Sequence, residues 1–351
     1  MKRAPWRAVA AVLLVAILAG GTAFAADKVQ PTPQKPLKLR LGFEDPVDIT
    51  KPEAAYAMVF KSIVESRTNG AVLVDIFGHS VLGGSKAMLE MVKSGSLDLC
   101  IQTGAMAAYY PPFQVISLPY LFKSEDIAWW VFDHSDYWKG LSADLTKKTG
   151  LRLLGMGQNG VRHFSNNTRP IHSPADMKGI KFRVMQSPIF VKFVEALGAK
   201  AVPIAWAELY TALQTKVVDG QENPLAIIEL GKIHEVQKYL TLDGHIWSED
   251  ALFVNNALFE SLPKEIQVVF ETAGRQGALA DRSAETVSTM ITSMKTISKG
   301  MQIYVPTDKE KRQFIDLSQT PVLQWLKGEV GAAPVDGMLK AVKDAEQALG
   351  Y

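Results

Sequence analysis

Short apolar runs alternate with helical stretches along almost the whole chain, and this rhythm restricts the fold more than any other feature. Leu37-Lys38-Leu39-Arg40-Leu41 alternates apolar and polar residues and ends at Gly42, which predicts a strand. Pro52 opens a helix whose apolar face carries Ala55, Met58, Val59, Ile63 and Val64, and Gly70 closes it as a left-handed cap would. A strand over 71–77, a helix over 86–93 and a strand over 97–101 follow. Beyond Pro119 the pattern resumes with a strand over 151–154. Ser173-Pro174-Ala175-Asp176 then reads as a helix start, with a capping serine, a proline in the first turn and an acid at the capping-box position. A strand over 181–184 and helices over 188–197 and 206–215 complete the series. Such alternation implies βαβ units on a mostly parallel sheet, and two sets of units imply two α/β lobes.

The segment 263–299 has no interior proline and stops at Gly300. As one helix it is about 55 Å long at 1.5 Å per residue, enough to bridge both lobes. Gly274 and Gly277 keep two shorter helices open as the alternative, since each glycine costs about 1 kcal/mol relative to alanine in a helix.

The N-terminus carries an export signal. Lys2, Arg3 and Arg7 precede a short apolar run over 8–18, and Ala23-Phe24-Ala25 predicts cleavage after Ala25. That run is too short to span a bilayer, which takes roughly 20 apolar residues. Residues 26–36 hold Pro31, Pro33 and Pro36 and read as a flexible leader. Cleavage removes 25 of 351 residues, three basic and none acidic, and leaves 35 basic against 36 acidic residues. That balance argues against nucleic acid or an anionic membrane as partner. With Cys100 the single cysteine, no intrachain disulfide forms, and an exported fold must rely on its core.

Several chemical motifs fail on inspection. Gly155-Met156-Gly157-Gln158-Asn159-Gly160 fits G-x-G-x-x-G, but loop residues follow it where a dinucleotide site needs a helix N-terminus. His234-Glu235 has Lys238 where a zinc protease needs its second histidine, and no serine-hydrolase elbow is present. No metal, cofactor or catalytic set is expected. Two arginines remain: Arg162, in a loop after a strand, and Arg183, in or at the end of a strand. Ligands of open α/β sheets bind beyond the carboxyl ends of strands, where a guanidinium fork can hold a carboxylate through two parallel hydrogen bonds. An ordinary salt bridge fits either arginine as well. Asn223, in the polar turn Asp219-Gly220-Gln221-Glu222-Asn223-Pro224, can read a carboxylate or simply cap a turn.

At these residues the chain resembles the solute receptors of tripartite ATP-independent periplasmic (TRAP) transporters, the DctP family. The resemblance rests on Asn159-Gly160-Val161-Arg162, the segment 170–184, Ala207-Glu208-Leu209-Tyr210-Thr211-Ala212-Leu213-Gln214 and Val217-Val218-Asp219-Gly220-Gln221-Glu222-Asn223-Pro224, and it covers nearly the whole mature chain. It implies a two-lobed periplasmic binding fold of type II-like α/β architecture, with a long helix bridging both lobes. Lobe I is then 37–159 plus 249–289 and lobe II 160–248 plus 290–351. It implies a receptor that captures a small organic acid, such as a dicarboxylate, between the lobes and delivers it to the small and large membrane subunits of a transporter. Arg183 matches the residue holding the ligand carboxylate, with Arg162 and Asn223 beside it and Trp206 in place of an aromatic that packs on the ligand. Glu44, Gly84, Gln102 and Thr103 occupy first-lobe positions that vary with ligand, and Glu44 and Thr103 argue against sialic acid. Glu44 suits a hydroxyl or ammonium at the far end of a ligand. His245 and Trp247 are further candidates for the same cleft. The alternatives are a periplasmic enzyme on the same kind of carboxylate, or a receptor that reports to a sensor.

Overall fold

The computed structural model describes residues 28–351, so the expected signal segment and its cleavage site lie outside the described residues. The strands form two separate sheets. The first holds β1 (Leu37–Gly42), β2 (Val72–Phe77), β3 (Leu99–Gln102), β4 (Leu151–Met156) and β10 (Ala251–Asn255), in the order β2-β1-β3-β10-β4. The second holds β5 (Gly160–Asn166), β6 (Lys181–Val184), β7 (Lys200–Pro203), β8 (Gly220–Pro224), β9 (Tyr239–Ser248) and β11 (Gln302–Tyr304), in the order β11-β9-β5-β8-β6-β7. Helices α1 (Pro52–Arg67) and α2 (Ser85–Ser94) link the first three strands, and α3 (Glu125–His134) and α4 (Asp136–Thr149) lead into β4. In the second lobe α5 (Pro188–Ala196), α6 (Trp206–Gln214) and α7 (Leu225–Leu230) follow β6, β7 and β8. The C-terminal third holds α8 (Asn256–Ser261), α9 (Lys264–Val287), α10 (Met294–Ile297), α11 (Asp308–Val330) and α12 (Ala332–Leu349).

Both sheets are mixed rather than mostly parallel. β1 pairs parallel with β2 and β3, but β10 is antiparallel to β3 and β4. In the second sheet β5 is antiparallel to both β8 and β9. The reason is the pair of short crossings between lobes. β4 passes to β5 through residues 157–159, and β9 passes to β10 through Glu249 and Asp250, with no helical crossover of the kind that parallel pairing requires. The crossings are bonded to each other: Gly157 N donates to Asp250 O at 2.7 Å and Asn159 N to Ser248 O at 3.0 Å. Gly160 begins β5 at φ +121°, where a Cβ would meet Glu285 Oε1 at 2.6 Å and Pro224 Cβ at 2.7 Å, so only glycine fits this corner.

Helical structure continues from α9 to α10 through a π-helical stretch over Ser288–Ser293. α9 packs along α1 and β4, whereas the π stretch and α10 pack on α7, so this one path spans both lobes. Its glycines are packing devices. A Cβ on Gly274 would lie 2.6 Å from Leu154 O, and one on Gly277 would lie 2.4 Å from Tyr56 Cδ2. Their absence lets α9 sit directly on its neighbours.

Several local expectations are corrected. Arg162 lies inside β5 and Asn223 inside β8, neighbouring strands of the second sheet, because the polar residues there are satisfied by one another in the interior. Residues 174–177 make a single 3-10 turn, in which Asp176 Oδ2 accepts from Ser173 N at 2.9 Å; β6 begins too soon for a helix to extend. The described part of the leader is tied down by Val29 N on Ser261 O at 3.0 Å. Within 290–351, α11 packs on α5, but α12 returns to α3 and α4, the helices ahead of β4. A continuous apolar cluster accompanies it, running from Trp138 and Phe113 through Phe253 to Phe164, Phe182 and Phe193. Among the described residues no helix is long and apolar enough to cross a membrane.

Candidate ligand-binding site

A cavity of about 500 Å³ lies between the lobes, within the range usual for small-molecule sites. The second lobe supplies its apolar wall, including Met185, Ile204, Trp206 and Ile227, and the first lobe supplies Glu44, Ser85 and Thr103. The lobes approach each other at its edge, where a Cβ on Gly104 would meet Met185 Cε at 2.8 Å.

Arg183 projects from β6 into this cavity and is only 3% exposed. Its Nε donates to Ile204 O at 2.8 Å, which fixes the plane of the guanidinium. Its two terminal nitrogens donate to no protein group among the described residues, and no carboxylate pairs with it. Burial pushes its pKa down to about 10, with Glu222 and Glu44 opposing that shift and Arg162 adding to it. The guanidinium remains charged at neutral pH and has two parallel donors to offer an anion.

Arg162 differs in kind. It is fully buried and bound to Glu222 through Nε and through Nη2, the latter at 2.9 Å, while Nη2 also donates to Glu222 O at 2.6 Å and Asn223 Oδ1 at 2.8 Å. Burial opposes ionisation of Glu222, but Arg162 overcomes it and holds the carboxyl below its usual range. Asn223 also donates to Gln221 Oε1. Both Arg162 and Asn223 reach the cavity wall, yet their polar atoms are already engaged within the protein.

The first-lobe candidates divide. Glu44 lines the cavity, with Oε2 accepting from Ser85 Oγ at 2.6 Å, and burial raises its pKa. Thr103 lines it too and donates to Asp250 Oδ1 at 2.6 Å. Gly84 also lies on the wall, where a Cβ would come within 3.2 Å of Glu44 Oε1. Gln102 does not line the cavity: it is fully buried behind it, and its Oε1 accepts from Ala105 N at 2.9 Å.

His245 and Trp247 also lie elsewhere. His245 is fully buried between Asp243 Oδ2 at 2.8 Å and Glu222 Oε2 at 3.3 Å and stacks on Phe164. Burial opposes its charge, but Asp243 and Glu222 raise its pKa. Trp247 stacks on Phe132 and donates to Gln158 Oε1 at 2.8 Å. Both border a different cavity with Tyr120, Phe122 and Trp129, because β9 turns these side chains away from the cleft. Residues that sequence reasoning overlooked include Asp45 and Glu53, which line the cavity, and Glu222, the partner of Arg162. Cys100 is buried in β3 and burial pushes its thiol pKa up, as expected of a core residue. No group of acids, histidines or cysteine able to hold a metal occurs among the described residues.

Two α/β lobes joined by paired crossings, with a free guanidinium in the cavity between them, define a two-lobed receptor for a small solute. The chain belongs to family 7 of the bacterial extracellular solute-binding proteins, DctP, whose family model matches residues 47–327. It is 30% identical over 311 residues to the 2,3-diketo-L-gulonate-binding periplasmic protein of Escherichia coli, covering 88% of this chain and 92% of that protein. The solved sugar acid binding protein of Advenella mimigardefordensis, in complex with galactonate, is 30% identical with a TM-score of 0.83, covering 88% of this chain and 99% of that one. A TRAP periplasmic solute-binding protein from a Polaromonas species, bound to D-erythronate, is 29% identical with a TM-score of 0.80, covering 86% and 98%.

Proposed function

We propose that this protein is an exported receptor that captures a small organic acid between its lobes and delivers it unaltered to the membrane subunits of a TRAP transporter. The observation that carries this reading is Arg183, a buried cation with two free donors facing the interlobe cavity. Burial of an unpaired charge is costly, so such a group persists where a ligand anion completes it. The relatives bound to galactonate and D-erythronate support an acid as ligand.

Arg183 holds the carboxylate, and Trp206 covers the ligand with a ring held over Gly231, where a Cβ would meet Cη2 at 2.6 Å. Arg162, fixed by Glu222, keeps Asn223 at the cavity wall, while Glu44 and Thr103 face the ligand's other end. Closing the lobes excludes water and strengthens each charged hydrogen bond. Residues 1–25 direct export and are then removed.

A thermal-shift screen against organic acids tests the receptor role, because a ligand at 100 times its Kd adds about 2.7 kcal/mol of stability. The stabilising acid is then incubated with the protein and recovered. Recovery unchanged supports a receptor, and conversion to a product contradicts it. N-terminal sequencing of protein from the periplasm is expected to begin at Ala26.

A further inference from the structure

The two walls of the cavity carry ionisable groups of opposite kind. Opposite the second-lobe guanidinium, the first lobe lines it with three carboxyl groups, those of Glu44, Asp45 and Glu53. Each uses one oxygen within the protein. Glu44 Oε2 accepts from Ser85 Oγ at 2.6 Å. Glu53 Oε2 accepts from the backbone N–H groups of Glu44 and Asp45, each at 2.7 Å, and Asp45 Oδ2 accepts from Glu53 N at 3.3 Å. The second oxygen of each accepts no hydrogen bond among the described residues, and no lysine, arginine or histidine forms an ion pair with any of the three. Asp45 and Glu53 are 4% and 2% exposed and lie at the cavity wall. Lys86 borders the same cavity, but its side chain is exposed at the rim.

Burial raises the pKa of all three, and repulsion between the acids raises Asp45 and Glu53 further, so the wall holds protons when no cation is present. A second negative charge on a ligand is disfavoured there, and a cationic group can take the protons' place. Arg183, buried across the same cavity with no ion-pair partner among the described residues, fixes the end at which the ligand's single anion must sit. We propose that the ligand is an organic acid carrying one carboxylate and, at its far end, a cationic nitrogen that Glu44 receives with Asp45 and Glu53 behind it. This rests on the carboxylate-receptor reading above and adds the choice of charge at the other end. Glu44 is the specificity-determining residue, because Ser85 orients its carboxyl while one oxygen stays free toward the cavity.

Calorimetric titration with matched ligands tests the proposal. Each set shares one carbon skeleton of three to six carbons and consists of an ω-amino acid, the ω-hydroxy acid and the dicarboxylate. In at least one set the amino acid is expected to bind about tenfold or more tighter than the hydroxy acid, and the dicarboxylate weakest. Glu44→Gln keeps the shape of the side chain. It is expected to lower amino-acid affinity about tenfold while hydroxy-acid affinity stays within about threefold. A dicarboxylate or hydroxy acid that binds tighter than its matched amino acid in every set overturns the proposal, as does an unchanged preference in Glu44→Gln. Arg183→Ala separates the two claims: loss of all binding in that variant upholds the carboxylate clamp whichever far end is preferred. Retained binding in Arg183→Ala overturns the carboxylate reading itself, whereas no binding of any set to the wild-type protein overturns the proposal for the far end.

Discussion

Arg162 and Glu222 form a closed, fully buried ion pair across the neighbouring strands β5 and β8, with Nη2 at 2.9 Å from Oε1. This pair divides the labour between the two arginines of the second lobe. Arg162 has its counter-charge inside the protein and serves the architecture, so Arg183 is left as the cation that meets an incoming anion.

Breaking the pair is therefore a matter of stability. Glu222→Gln leaves a guanidinium buried without its charge partner, which costs about 3–5 kcal/mol. Denaturant unfolding is expected to show a loss of this order, and a variant as stable as wild type contradicts the structural role of the pair.

The buried acids make stability fall with rising pH. Burial pushes Asp45 up to about 8 and Glu249 and Asp250 up to about 7, so the folded chain keeps protons that the unfolded chain releases from about pH 4 upward. Stability is lost as pH rises toward those folded values, at about 1.4 kcal/mol per pH unit for each proton retained. His163 acts in the opposite sense. Burial pushes it down to about 4, so its effect is confined to the interval from 4 to 6.5, where only the unfolded histidine takes up a proton. Above pH 6.5 the acids dominate, and His245, raised in the fold, adds to them. Unfolding of the ligand-free protein at pH 6.5 and pH 8 is expected to show lower stability at pH 8, and equal or greater stability there contradicts the assignment.

Gly277→Ala sets two effects of opposite sign against each other. Helix propensity favours alanine by about 1 kcal/mol. The new methyl group would lie 2.4 Å from Tyr56 Cδ2, in a contact between α9 and α1 that has no room, and overpacking costs about 1–3 kcal/mol. Net destabilisation is expected in urea unfolding. A stabilised variant shows that α9 and α1 do not pack as closely as described.

Local pattern made most elements legible. Lys181–Val184 is a strand as its residues predict, and α1, α5 and α6 begin at Pro52, Pro188 and Trp206 as expected. What local pattern does not carry is pairing between distant strands. Arg162 and Asn223 sit in sequences rich in Asn, Gly and Pro and read as loop and turn, yet each is a buried strand residue because Glu222, Gln221 and the other partners arrive from elsewhere in the chain. The antiparallel strands at the crossings were hidden for the same reason. Among the candidate site residues, Arg183, Trp206, Glu44 and Thr103 face the cavity, while Gln102, His245 and Trp247 do not. Which side of a strand a residue faces near a lobe crossing depends on the path of the crossing, and the identities of residues 245–247 do not encode it. Asp45 and Glu53 escaped notice because an acid after a strand or in a first helical turn has an ordinary local explanation.

The most direct test of the account is the affinity of Arg183→Ala for an organic acid that stabilises the wild-type protein, measured by calorimetry. Two charge-assisted hydrogen bonds at about 1.5–3 kcal/mol each predict a loss of at least a hundredfold. The melting temperature of the ligand-free variant is expected to equal or exceed that of wild type, because an unpaired buried cation has been removed. A folded Arg183→Ala protein that binds the same acid within about threefold of wild type contradicts the account.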